Sequence, residues 1–122
     1  MWSNLYAYYV IRGDKNYEAF RPTEEIAQIL KNTGVLERIQ LMKFKNLDFF
    51  PWLSISIALT ADGSFHWDET PNYEAVNLIS VVTAKRFDQN IYKNVLLKIA
   101  KELNWEVILE HDDDGNEDVL IH

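Results

Sequence analysis

The chain has 122 residues, with nineteen Asp and Glu against twelve Lys and Arg and no cysteine. That length makes one domain over residues 1–122, and 48% hydrophobic with 25% charged residues is globular composition, which excludes a disordered chain. Without cysteine there is no disulfide scaffold, thiolate metal site or cysteine nucleophile, and the composition fits a reducing, cytoplasmic setting.

The first predicted element is Leu5-Tyr6-Ala7-Tyr8-Tyr9-Val10-Ile11-Arg12, an aromatic and β-branched run closed by Gly13-Asp14, which reads as a strand. No basic leader, long apolar run or small-residue cleavage site precedes it, so the expectation is a protein that is not secreted. Thr23 can cap a helix with Glu24 and Glu25 in its first turn, Ile26, Ile29 and Leu30 on one face, and Gly34 just past its end. Residues 35–45 alternate through Ile39 and Leu41, with polar Arg38, Gln40 and Lys43 between, as one half-buried strand.

Residues 53–60 give the cleanest period of two, with Leu53, Ile55, Ile57 and Leu59 alternating with small residues. Asp62-Gly63 reads as a hairpin turn into a short return strand at Phe65-His66-Trp67. Residues 76–85 form a β-branched run of central-strand character. Asp88 can cap a second helix, in which Ile91, Val95, Ile99 and Leu103 recur every four residues. Tyr92 and Leu96 widen that stripe, and Lys93, Lys98 and Lys101 lie opposite. Residues 105–109 and 119–121 read as strands joined by an acidic hairpin, with Asp114-Gly115 or Gly115-Asn116 supplying positive φ angles. The order β-α-β-β-(β)-β-α-β-β predicts an α+β, ferredoxin-like two-layer sandwich, with a mainly antiparallel sheet and both helices on one face.

The net charge of −7 sits at one end. The first 101 residues hold twelve bases and eleven acids, while the last 21 hold eight acids and no base. Glu102, Glu106 and Glu110 are followed by the dense tract Asp112, Asp113, Asp114, Glu117 and Asp118. Acids this close repel one another, so water, a cation or a basic partner must relieve them. Direct nucleic-acid binding and membrane association are disfavoured, and a basic protein is the expected partner. No stretch approaches the roughly 18 to 20 apolar residues that cross a bilayer.

Candidate chemistry is sparse. Aligned as a calcium loop, the acidic tract puts Glu110, Asp112 and Asp114 at the first, third and fifth positions, but Ile121 falls where a bidentate Glu is needed. A solvated hairpin tip is the simpler reading. His66, beside Ser64, Asp68 and Glu69, could act as a general base in a small enzyme, yet no oxyanion signature accompanies it. His66, His111 and His122 share no ligand spacing, and the four glycines form no phosphate cradle, so no metal or cofactor is expected. Tyr6, Tyr8, Tyr9 and Tyr17 could form a stacking platform but lack an RNA-binding motif, and core packing is the simpler account. Arg38, Lys43, Lys45, Lys85 and Arg86 are either a basic patch or counterions to the acidic tip.

What remains is a protein-binding profile, with aromatic anchors inside a charged rim. The candidate partner-binding residues are Asp62, Trp67, Asp68, Glu69, Tyr73, Asp112, Asp113, Asp114, Glu117 and Asp118. In size, acidity and its acidic hairpins, Asp62 to Asp68 and Asp112 to Asp118, the chain resembles the immunity proteins that bacteria pair with polymorphic or contact-dependent growth-inhibition toxins. The resemblance implies a small inhibitor that neutralises a toxin domain, often a basic nuclease, with the acidic tip standing in for nucleic-acid phosphates. A protein-interaction module with another partner shares the same binding logic.

Overall fold

The computed structural model describes residues 5–63 and 72–122. The elements are β1 (Tyr6–Arg12), β2 (Arg21–Pro22), α1 (Thr23–Asn32), β3 (Leu36–Gln40), β4 (Lys43–Asn46), β5 (Leu53–Ala58), β6 (Ala75–Val76), β7 (Leu78–Ala84), α2 (Gln89–Leu103), β8 (Glu106–His111) and β9 (Glu117–Leu120). Seven strands form one antiparallel sheet in the order β3-β4-β5-β7-β1-β8-β9, and β2 pairs with β6 in a separate ribbon. The fold is thus α+β, a mainly antiparallel sheet with two helices, as the sequence pattern implied.

Alternation along the strands decides which side is buried. On β1, Ala7, Tyr9 and Ile11 enter the core, as do Leu53, Ile55 and Ile57 on β5. The helices cover this face with Ile26, Ala27 and Leu30 of α1 and with Tyr92, Leu96, Ile99, Ala100 and Leu103 of α2, all in one continuous cluster. Fully burying each such large side chain contributes about 1.5–3 kcal/mol. Strand β7 is buried along its whole length, as a strand paired on both edges should be. The α2 stripe centres on Tyr92 rather than Ile91, which is 40% exposed. Among the described residues no helix is long and apolar enough to cross a membrane.

Two local expectations change. Residues 35–45 are two strands, because the register shifts between Arg38 and Gln40 and the chain reverses at Leu41-Met42. That turn lacks Gly and Pro, but the Arg38 guanidinium donates to the Leu41 carbonyl from Nε and Nη2 and satisfies it. Thr23 does not cap α1, since its hydroxyl donates to the Tyr73 carbonyl instead and Pro22 occupies the cap position. The return strand expected at residues 65–67 lies outside the described residues. Asp88 does cap α2, its Oδ1 accepting from the Asn90 N–H at 3.0 Å.

Two polar sites contrast. Gln89 Oε1 accepts from the Tyr9 and Thr83 hydroxyls at 2.9 Å each, and its amide donates to the carbonyls of Ala84 and Phe87. Burial, with a smaller contribution from Tyr92, pushes the Tyr9 phenol up to about 12, which keeps it a donor at any ordinary pH. Ser56, 1% exposed on the opposite face of the sheet, has a hydroxyl with no hydrogen-bond partner among the described residues. The signs of substitution should therefore differ. Gln89→Leu should lower stability by about 2–4 kcal/mol, because several buried partners lose a bond, whereas Ser56→Ala should raise it by up to about 1 kcal/mol. Urea unfolding curves decide this, and a destabilised Ser56→Ala variant would show that the hydroxyl is satisfied after all.

Candidate functional site

Strand directions place the acidic features. β1 runs from Tyr6 to Arg12, and its antiparallel neighbours align Tyr6 with Ala84 and Arg12 with Glu106. The 112–116 turn therefore sits at the Tyr6 end of the sheet, whereas Asp62, beyond the Ala58–Leu78 pair, sits at the Arg12 end. Seven residues of strand separate these ends by about 20 Å, more than twice the screening length of roughly 8 Å in physiological salt. Asp62 and the 112–116 turn therefore lie too far apart to form one charged patch. Tyr73 is half-buried against the core, and its carbonyl accepts from Thr23, at the α1 side. Trp67, Asp68, Glu69 and His66 lie outside the described residues.

The tip itself is built around one side chain. Asp112 turns inward, its Oδ1 accepting from the Asp114 N–H at 3.0 Å and the Asn116 N–H at 2.8 Å. Its Oδ2 accepts from the Asn116 side-chain amide at 2.9 Å. The backbone closes with Gly115 N–H to Asp112 O and Asp112 N–H to Asn116 O, and Gly115 takes the required positive φ of 86°. The loop between the strands spans 112–116, and of the expected positive-φ pairs only Gly115 adopts that conformation within it. Hydrogen bonds from Asn116 above all hold the Asp112 carboxyl below its ordinary range.

With Asp112 committed to the turn, Asp113, Asp114, Glu117 and Asp118 point outward and are exposed. Asp113 meets Lys85 at 3.4 Å, and His111 Nδ1 lies 3.9 Å from Glu117 Oε1 across the strand pair. Exposed pairs of this kind contribute at most about 1 kcal/mol, so Lys85 does not neutralise the tip. Glu110, just before the turn, is raised by burial, with His111 opposing and Asp118 adding to the rise. The calcium alignment has no geometric counterpart: no group of three or more His, Asp and Glu able to hold a metal occurs among the described residues.

The same end of the sheet carries cations and aromatics on the face opposite the helices. Trp52 stacks at 5.3 Å from Tyr6 with the rings tilted by 47°, and Lys45 Nζ lies 4.1 Å above the indole. The candidate basic residues are divided. Arg38 forms a bidentate pair with Glu24, Lys85 reaches the acidic tip, and Lys45 sits on Trp52. The tyrosines are divided too, since Tyr9 is in the core, Tyr6 joins Trp52, and Tyr17 accepts from Arg12 at the far end. Trp52 is the residue that sequence reasoning missed, its one signal being an indole after Pro51 at the mouth of the strongest strand.

No family model matches the chain, and comparison with curated proteins and with solved structures found no match. Protonation of Asp112 should release the tip. Because its carboxyl is held below the ordinary range, the ordering is present above the ordinary aspartate value of 3.8 and is lost as pH falls through the lower folded value. The Asp114 and Asn116 amide signals should titrate together with a midpoint below 3.8. Midpoints at or above that value would mean that Asp112 does not hold the turn.

Proposed function

We propose that this chain is an immunity protein, which binds a cognate bacterial toxin domain and neutralises it through the acidic β8–β9 tip. The observation that carries the reading is the division of labour at that tip: Asp112 is spent on the turn, and this holds Asp113, Asp114, Glu117 and Asp118 outward on a rigid support. A preordered set of carboxylates loses little freedom on meeting Lys and Arg, and it steers encounter with a positive surface. The partner that fits is a basic domain such as a nuclease, whose cleft attracts phosphates. Inner strands β8-β1-β7-β5, with α1 and α2 as crossovers, support a ferredoxin-like core, extended at one edge by β3-β4 and at the other by β9. That architecture hosts many functions, so the reading rests on the tip and not on the fold.

Genomic adjacency supplies a first test, since the reading expects a toxin C-terminal coding region directly upstream. Binding of that toxin domain should then depend steeply on salt, with association slowing at least ~10-fold between low and physiological ionic strength. Asp113→Asn, Asp114→Asn and Glu117→Gln combined should slow association ~10-fold at low salt and flatten that dependence, leaving the fold intact because Asp112 is retained. Wild-type association of this triple variant, followed by stopped flow, would remove the tip from the mechanism.

A further inference from the structure

Where β1 and β5 begin and β7 ends, a cleft of about 450 Å³ is lined by Leu5, Tyr6, Trp52, Ala84, Lys85 and Arg86. We propose that this cleft binds a planar aromatic anion, a ring bearing one carboxylate or phosphate, stacked on Trp52 and Tyr6 with its charge met by Lys45, Lys85 and Arg86. The inference does not rest on the toxin reading.

The aromatic wall is held from behind. The Trp52 carbonyl accepts from the Tyr92 hydroxyl at 2.7 Å, and Tyr92 packs edge-on against Phe50 at 6.0 Å, so α2 fixes the backbone that carries the indole. Asn46 ties the same loop, donating to the carbonyls of Leu47 and Phe50 while its Oδ1 accepts from the Leu53 N–H. A ring entering the cleft meets surfaces that are already placed, so little ordering is required of the protein.

The charges point the same way. In a chain of net charge −7, Lys45 and Arg86 have no carboxylate partner among the described residues. Lys45 instead lies over Trp52, and Arg86 over Phe87 at 4.9 Å. Burial lowers the Lys45 pKa, as expected of an ammonium drawn out of water onto a ring. Lys85 lines the cleft and its contact to Asp113 is 3.4 Å long, with Asp113 91% exposed, so that pair is a weak one. An apolar surface groove would present rings without this set of cations. A phosphate site alone would need the cations without the rings.

Two-dimensional NMR of the full chain tests the site, with the Trp52 indole N–H identified by Trp52→Phe. The probes are AMP and indole-3-acetate as ring-bearing anions, adenosine and indole-3-acetamide as their neutral counterparts, and inorganic phosphate. At least one anion should shift the Trp52 indole and the Arg86 amide saturably, with its neutral counterpart binding at least ~10-fold more weakly and phosphate leaving Trp52 unmoved. Response to AMP alone assigns a nucleotide, response to indole-3-acetate alone assigns an aromatic carboxylate, and response to both assigns ring and charge together. Lys45→Gln with Arg86→Gln, both on the surface side of the core, should weaken binding ~10-fold or more. Absence of a saturable shift up to about 10 mM, equal binding of anion and neutral probe, or unchanged affinity in the folded double variant would overturn the proposal.

Discussion

Strand β1 has to be paired on both edges, and the rest of the molecule is arranged around that requirement. Its Tyr9 and Ile11 are among the most buried side chains, and unpaired backbone beside them would be costly. The partners, β7 and β8, come from the second half of the chain, so β1 is closed only after α2 has carried the chain from one of its edges to the other. The half-buried Gln89 junction sits where this closure is made, tying Tyr9 of β1 and Thr83 of β7 to the first turn of α2. Strand pairing and helix docking are thus linked through one amide side chain.

One consequence is the separation of polar features to the ends of the sheet. The helices take one face, and strand centres are filled by apolar and small residues, which leaves the turns to carry charge. At one end Arg12 bonds Glu106 at 2.8 Å and Tyr17 at 3.0 Å, a compact and internally satisfied group. At the other end the acidic tip faces outward with one lysine beside it. Charges that a sequence counts together are kept roughly 20 Å apart by the length of the strands, and screening makes them independent.

Much of the scaffold was legible because its signals are periodic. The β5 alternation, the β7 apolar run, the Asp88 cap and the terminal hairpin all appear as expected. The β3–β4 turn was hidden because the apolar period continues through it, and its stabilising bonds come from the Arg38 side chain in place of a Gly or Pro turn signal. The Asp112 role illustrates the same limit at the site. Three consecutive aspartates are identical as composition, and only the turn geometry separates the one that orders the loop from the two that face out. Trp52 was illegible for a related reason, since its partners Tyr6 and Lys45 come from other strands.

The tip and the cleft share an end of the sheet, and Lys85 is common to both. An anion seated beside Lys85 would draw its ammonium from Asp113 and add negative charge close to the tip, which favours a basic partner. Linkage makes this reciprocal, so a basic partner that engages Asp113 weakens the hold of Asp113 on Lys85. The coupling is bounded by the strength of an exposed ion pair, at most about 1 kcal/mol, or roughly a fivefold change in affinity. A larger coupling would need the strands to move, and β1 and β7, paired along their lengths over the core, leave little freedom for that. Binding at the tip and cleft, as proposed, would therefore be adjusted in graded electrostatic steps and not by an all-or-none switch.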